Sequence, residues 1–195
     1  MRATVIVTMV LTAASIAGAT AYVDEDFTGS FPPPRWTTQN SGGSAGWDRQ
    51  SGGPSGNYAL GWAFSMDNVE RWAQLVTYAF RVEANTTVEF RFDYRYFYGG
   101  ITAPNYAEFA LFYAETPTEL IGSRRVGLAT SWAEYAAEIK APRAGSIKAR
   151  FKVWVRNPST HSSIYEWDVD NVLINDKTVH AVSPVSIGRV KALYR

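Results

Sequence analysis

The stretch Thr87-Val88-Glu89-Phe90-Arg91-Phe92-Asp93-Tyr94-Arg95-Tyr96-Phe97-Tyr98-Gly99 decides the fold. Phe90, Phe92, Tyr94, Tyr96 and Tyr98 share one parity. Glu89, Arg91, Asp93, Arg95 and Phe97 share the other. Successive side chains of a strand point to opposite faces, so this stretch has an aromatic face backed by a mostly charged one. A helix would scatter the same residues around its circumference. Aromatic side chains also suit a pleated, half-buried surface. The reading is a long antiparallel strand of a β-sandwich. Phe90, Phe92, Tyr94 and Tyr96 are expected inside, and Arg91 and Asp93 outside.

Composition bounds the rest. Of the 195 residues, 46% are hydrophobic and 14% aromatic, enough for a core without covalent staples. The length fits one domain with a small appendage. The absence of cysteine excludes disulfides, thiolate catalysis and cysteine-bound zinc. His161 and His180 are the only histidines, so a multi-histidine metal centre is excluded too. A formal net charge of +1 implies no bulk attraction to nucleic acid or to an anionic membrane.

Residues 1–21 read as a secretory signal peptide. Arg2 supplies a positive start, residues 3–18 are apolar or small, and Ala17-Gly18-Ala19 and Ala19-Thr20-Ala21 both offer small-x-small cleavage sites. The apolar run is short and no basic stop follows it, so it does not read as a stable membrane span. Export without cysteine suits a bacterial protein, secreted or held at the cell surface.

Residues 22–176 are expected to form the sandwich. Phe31-Pro32-Pro33-Pro34-Arg35-Trp36 is neither helix nor central strand, because three prolines remove donors and fix φ. From Asn40 to Asn57 glycine and serine dominate, which reads as loop, pinned by Trp47, Tyr58, Trp62, Phe64 and Trp72. Strands are expected over Leu75–Val82, Tyr106–Ala114, Ser131–Ile139, Ser146–Arg156 and Tyr165–Ile174. Evenly spaced strands, turn residues between them and no helical period indicate a two-sheet antiparallel β-sandwich. Asn85-Thr86-Thr87 matches a glycosylation sequon, a chance match in a bacterial protein.

Several short motifs follow one another along the chain: Asp26-Phe27, Pro34-Arg35-Trp36, Gly46-Trp47, Leu75-Val76, Phe92-Asp93-Tyr94-Arg95, Thr130-Ser131-Trp132, Ile147-Lys148-Ala149-Arg150-Phe151 and Trp167-Asp168-Val169-Asp170-Asn171-Val172. Over about Asp24 to Asn175 the chain thereby resembles the secreted MAM-like jelly rolls, which include the cleaved-adhesin and choice-of-anchor J domains. The resemblance implies a concanavalin-like jelly roll and a non-catalytic adhesion or glycan-binding role. It also implies a structural calcium ion between the acidic N-terminal segment and the last strand. Asp24, Glu25, Asp26, Asp168 and Asp170 are the candidate ligands, Asp170 foremost, since calcium takes six to eight oxygens. The competing reading is that these groups form Asx turns or face water.

Two further sites follow from the residues. In Ser146–Arg156, Ile147, Ala149, Phe151, Val153 and Val155 face inward. Lys148, Arg150, Lys152, Trp154 and Arg156 face outward, alongside Arg91 and Arg95. The basic groups suit a carboxylate or sulfate and the indole suits a sugar ring. The same alternation is what an exposed strand shows when it pairs across to Glu89, Asp93 and Glu138. Glu166, Asp168 and Asp170 share one parity, as in the Glu-x-Asp-x-Glu signature of laminarinase-like glycoside hydrolases, where two carboxyls act together. A shared fold alone does not carry that activity. Ser159-Thr160-His161-Ser162-Ser163 lacks the acid and oxyanion donors of a catalytic triad.

Residues 177–195 form a separate tail. Ile187, Val190, Leu193 and Tyr194 recur at helical spacing among Arg189, Lys191 and Arg195. The expectation is a short helix serving export, sorting or attachment. The sequence reading is thus a secreted binding module for an extracellular glycan or surface protein. The alternatives are a glycoside hydrolase and a structural matrix protein.

Overall fold

The computed structural model describes residues 21–100, 103–157 and 161–177. The signal-peptide reading of 1–21, save Ala21, and the tail helix lie outside them. Twelve strands form the fold: β1 (Val23–Glu25), β2 (Thr37–Asn40), β3 (Ala45–Gly53), β4 (Gly56–Ser65), β5 (Glu70–Val76), β6 (Phe80–Val82), β7 (Thr87–Gly100), β8 (Asn105–Tyr113), β9 (Leu120–Val126), β10 (Ala129–Lys140), β11 (Gly145–Arg156) and β12 (Ser163–Asp176). The first sheet runs β10-β7-β12-β4-β3, with β1 also on β12. The second runs β2-β5-β11-β8-β9, with β6 also on β11. Every pairing is antiparallel. This is the expected all-β, jelly-roll sandwich. No helix among the described residues is long and apolar enough to cross a membrane.

The parity of β7 is as expected. Phe90, Phe92 and Tyr96 are buried, Tyr94 is half-buried and Arg91 is exposed. Asp93 is half-buried because the Asn171 amide donates to it at 2.7 Å. The inner aromatics meet those of the second sheet. Phe90 stacks on Phe109 at 3.8 Å between centroids, and Phe92 meets Phe151 edge-on at 5.4 Å. Phe151 also contacts Trp167 at 5.6 Å, so the two long central strands β11 and β12 touch through their largest inward-facing side chains. Edge-to-face and offset contacts of this kind add to the gain from burial alone.

Four sequence expectations change. Within the stretch from Asn40 to Asn57 expected as loop, β3 and the start of β4 form a hairpin, in which glycines make room for tryptophans. Gly46 pairs with Trp62 and Trp47 with Gly61. A Cβ on Gly61 would lie 2.6 Å from the Trp47 ring, and one on Gly46 2.7 Å from the Trp62 ring. Leu75–Val82 is two strands: the chain breaks at Thr77, whose hydroxyl accepts the Ala149 N–H at 3.0 Å. β1, β2 and β9 carry no apolar alternation and were absent from the sequence reading. The last strand starts at Ser163 and continues past Ile174 to Asp176, through a bulge between Asp170 and Leu173. At that bulge Asn171 has φ 49°, a left-handed conformation that asparagine tolerates.

Candidate functional site

The outer face of the second sheet is built in rows, because antiparallel register sets residues of adjacent strands side by side. Trp154 of β11 lies opposite Trp72 of β5 on one side and Tyr106 of β8 on the other. The indole of Trp154 stacks on Tyr106 with centroids 5.1 Å apart and planes 12° apart. Beside this aromatic row runs a polar one across β2, β5, β11, β8 and β9: Gln39, Gln74, Lys152, Glu108 and Arg125, each in register with the next. Trp72, Tyr106, Trp154 and Lys152 are all partly exposed.

Polar contacts hold the rows in place. The Gln74 amide donates to Gln39 at 2.5 Å. Arg150 donates to Glu108 at 3.1 Å, and this pair is only one-fifth exposed or less. The Lys152 ammonium lies 5.4 Å from the Trp72 ring centre and 5.7 Å from that of Tyr106. The Arg125 guanidinium lies 4.5 Å over Tyr106. Next to the rows is a depression of about 170 Å³ lined by Gln39, Gln74, Phe112, Lys148 and Arg150.

Of the residues expected to bind a ligand, Lys148, Arg150, Lys152, Trp154 and Arg156 all project from this face. Arg91 and Arg95 do not join them. They lie on β7, in the other sheet, as do Glu89 and Asp93, and Glu138 lies on β10. Alternation shows which residues share a face of one strand but not which sheet the strand enters. Trp72 and Tyr106 complete the row without a signal of their own in the sequence, where Trp72 reads as a peg for a loop and Tyr106 as the start of a buried strand.

The carboxylates of β12 are otherwise engaged. Arg95 donates to Asp168 through Nε at 2.8 Å and Nη2 at 2.6 Å. The guanidinium is covered by the rings of Trp132, at 4.6 Å, and Tyr58, at 5.4 Å. Asp168 Oδ1 is buried without a hydrogen-bond partner. Burial pushes the Asp168 carboxyl up to about 6, against the pull of Arg95. Glu166 is half-buried on the same strand. These acids belong to the first sheet, whereas the depression lies on the second.

Asp170 reaches Ser55 in the β3–β4 turn. The Ser55 hydroxyl donates to Asp170 Oδ1 at 2.6 Å, and the Ser55 N–H to Oδ2 at 3.0 Å. The same hydroxyl lies 3.1 Å from the Asp26 carbonyl and 3.4 Å from that of Asn57. One hydroxyl proton faces three acceptors. A carboxylate and two peptide carbonyls are oxygens of the kind calcium takes, three of the six to eight it needs, and the Asn171 N–H also donates to Asp170 Oδ1 at 2.8 Å. The Asp26 carboxylate itself caps Thr28, accepting from its N–H at 3.0 Å and its hydroxyl at 2.7 Å. Asp24 is exposed on β1 and Glu25 accepts the Phe27 N–H at 2.8 Å. Asp168 is on Arg95. Among the described residues no group of three or more acidic or histidine side chains converges to hold a metal.

No protein-family model matches the chain, and no curated protein matches it in sequence. Solved structures do. A CBM4 module superposes with a TM-score of 0.51 at 9% identity, over 73% of this chain and 95% of the module. The K1 cleaved adhesin domain of Lys-gingipain from Porphyromonas gingivalis superposes with a TM-score of 0.50 at 16% identity, over 80% of this chain and 97% of the domain. At these identities the likeness is one of fold. It includes the cleaved-adhesin type that the sequence motifs resemble.

Proposed function

We propose that this chain is an exported, non-catalytic carbohydrate-binding or adhesion module whose contact surface is the outer face of the second sheet. The single observation that carries the reading is the aromatic row Trp72–Trp154–Tyr106 set against a polar row beside an open depression. Flat rings take the C–H faces of sugars, and amides, carboxylates and cations take the hydroxyls. The fold shared with a carbohydrate-binding module and an adhesin domain supports this reading, and so does the signal-like N-terminus. Asp168 and Asp170 are held by Arg95 and Ser55, which supports a module without catalysis. A structural calcium ion at Asp170 and the Asp26 carbonyl belongs to the same proposal.

A glycan array with the purified protein tests it. Retention on at least one glycan is expected, with Trp72→Ala and Trp154→Ala each weakening it while the melting temperature stays near wild type. Stacking losses of about 0.5–1.5 kcal/mol correspond to roughly two- to twelve-fold in affinity. Variants that bind as wild type, or no retention on any glycan, would overturn the reading.

A further inference from the structure

We propose that the glycan taken by this face is acidic, a chain carrying carboxylate or sulfate groups, with Lys152 and Arg125 as its anion-binding groups. The proposal rests on the glycan reading and narrows its substrate class. Charge segregation is the first ground. Residues 22–176 hold 14 Lys and Arg against 18 Asp and Glu, so the sandwich itself is net negative. Yet the outward side chains of β5, β8, β9 and β11 number five basic, Arg125, Lys148, Arg150, Lys152 and Arg156, against two acidic, Glu70 and Glu108. A cationic face on an anionic body attracts an anionic ligand to that face alone.

Placement is the second ground. Lys152 and Arg125 sit over the rings of Trp72 and Tyr106, the surfaces a sugar must reach. A neutral sugar stacking there has to displace a cation from its ring and returns only hydroxyl acceptors without charge. An acidic sugar meets the same cation with a charge-assisted hydrogen bond. The cations also have no carboxylate partner among the described residues: Lys148, Lys152 and Arg125 form no ion pair, whereas Arg150 is taken by Glu108. The buried Nε of Arg150 has no acceptor either, beside the depression where Lys148 stands. A polyphosphate fits less well. Nucleic-acid-binding domains are basic over the whole domain, whereas here the basic groups are confined to one face beside rings placed for a sugar.

Affinity electrophoresis of the purified full chain, at low and high salt, tests the proposal with five probes. Polygalacturonate carries only carboxylate, dextran sulfate only sulfate, a uronate-free xylan and a β-glucan are neutral, and a single-stranded oligonucleotide carries phosphate. The expected result is retardation by one or both acidic polysaccharides, relieved by salt. Lys152→Gln and Arg125→Gln should each weaken it about tenfold, as loss of one charge-assisted contact does, with Lys152→Arg restoring it. Polygalacturonate alone identifies a uronate, dextran sulfate alone a sulfated chain. Retardation by xylan or β-glucan that ignores Lys152→Gln overturns the acidic ligand and leaves the glycan reading standing. Stronger retardation by the oligonucleotide overturns it as well. Silence with every polysaccharide removes the glycan reading itself. Unchanged melting temperatures of the variants exclude misfolding as the cause of any loss.

Discussion

Asp168 and Phe92 show two uses of an interior position. Phe92 contacts Tyr94, Phe109, Tyr135, Phe151 and Trp167, all with centroids within 6.2 Å, and so ties both sheets together. Asp168 is just as buried but polar, and Arg95 answers only one of its oxygens. Its carboxyl is raised from 3.8 to about 6. A group raised on folding binds its proton more tightly in the folded chain. Its contribution to stability is full below about pH 3.8 and is lost as the pH rises through about 6. Thermal scans of wild type and Asp168→Asn across this range should therefore show the wild type losing ground to the variant as pH rises. Above the window the difference should stay constant. A difference that ignores pH would mean that Arg95 keeps the carboxylate ionised throughout.

The β3–β4 hairpin couples sequence to packing through two glycine–tryptophan pairs that face opposite ways. Trp47 turns inward, 8% exposed, and meets Trp167 at 6.0 Å. Trp62 turns outward and is only half-buried. A methyl group on Gly61 would press on a ring locked in the core, and one on Gly46 on a ring that has solvent to swing into. Gly61→Ala is thus expected to cost about 1–3 kcal/mol in urea denaturation, the range of an overpacked core, and Gly46→Ala clearly less. The opposite order would show that the outer ring, not the inner one, is held rigidly. The bulge of β12 acts at the same scale. By inserting residues between Asp170 and Leu173 it turns Asp170 toward Ser55 while Val172 and Ile174 stay buried.

At the scale of the molecule, Ser55 joins the β3–β4 turn to the N-terminal segment and to the last strand through Asp26 and Asp170. An ion held there binds the folded chain and not the unfolded one, so it stabilises by mass action. If the proposed calcium is present, excess chelator should lower the melting temperature of protein first loaded with calcium, and Asp170→Asn should abolish the difference. No shift in protein shown to be loaded would leave Ser55 as the sole bridge. The two sheets divide the remaining surface: the acids of β12 lie on one side, and the aromatic and polar rows on the other.

The sequence by itself determined the class of the protein and the inward and outward sides of its long strands. The period of two that separates Phe92 from Arg91, or Phe151 from Lys152, is a local property of an extended chain. It also placed Trp154, Lys148, Arg150, Lys152 and Arg156 on one outward face. Only the tertiary structure decided which strands became neighbours. Trp72 and Tyr106 lie far from Trp154 in the chain and join it through register, while Arg91 and Arg95, equally basic and equally outward, ended on the opposite sheet. Glycine and serine concealed the β3–β4 hairpin, because such residues mark both a loop and a strand that makes room for tryptophan. Strand partners are chosen by non-local pairing and by how the two inner faces interdigitate, and neither is written in the alternation of a single strand.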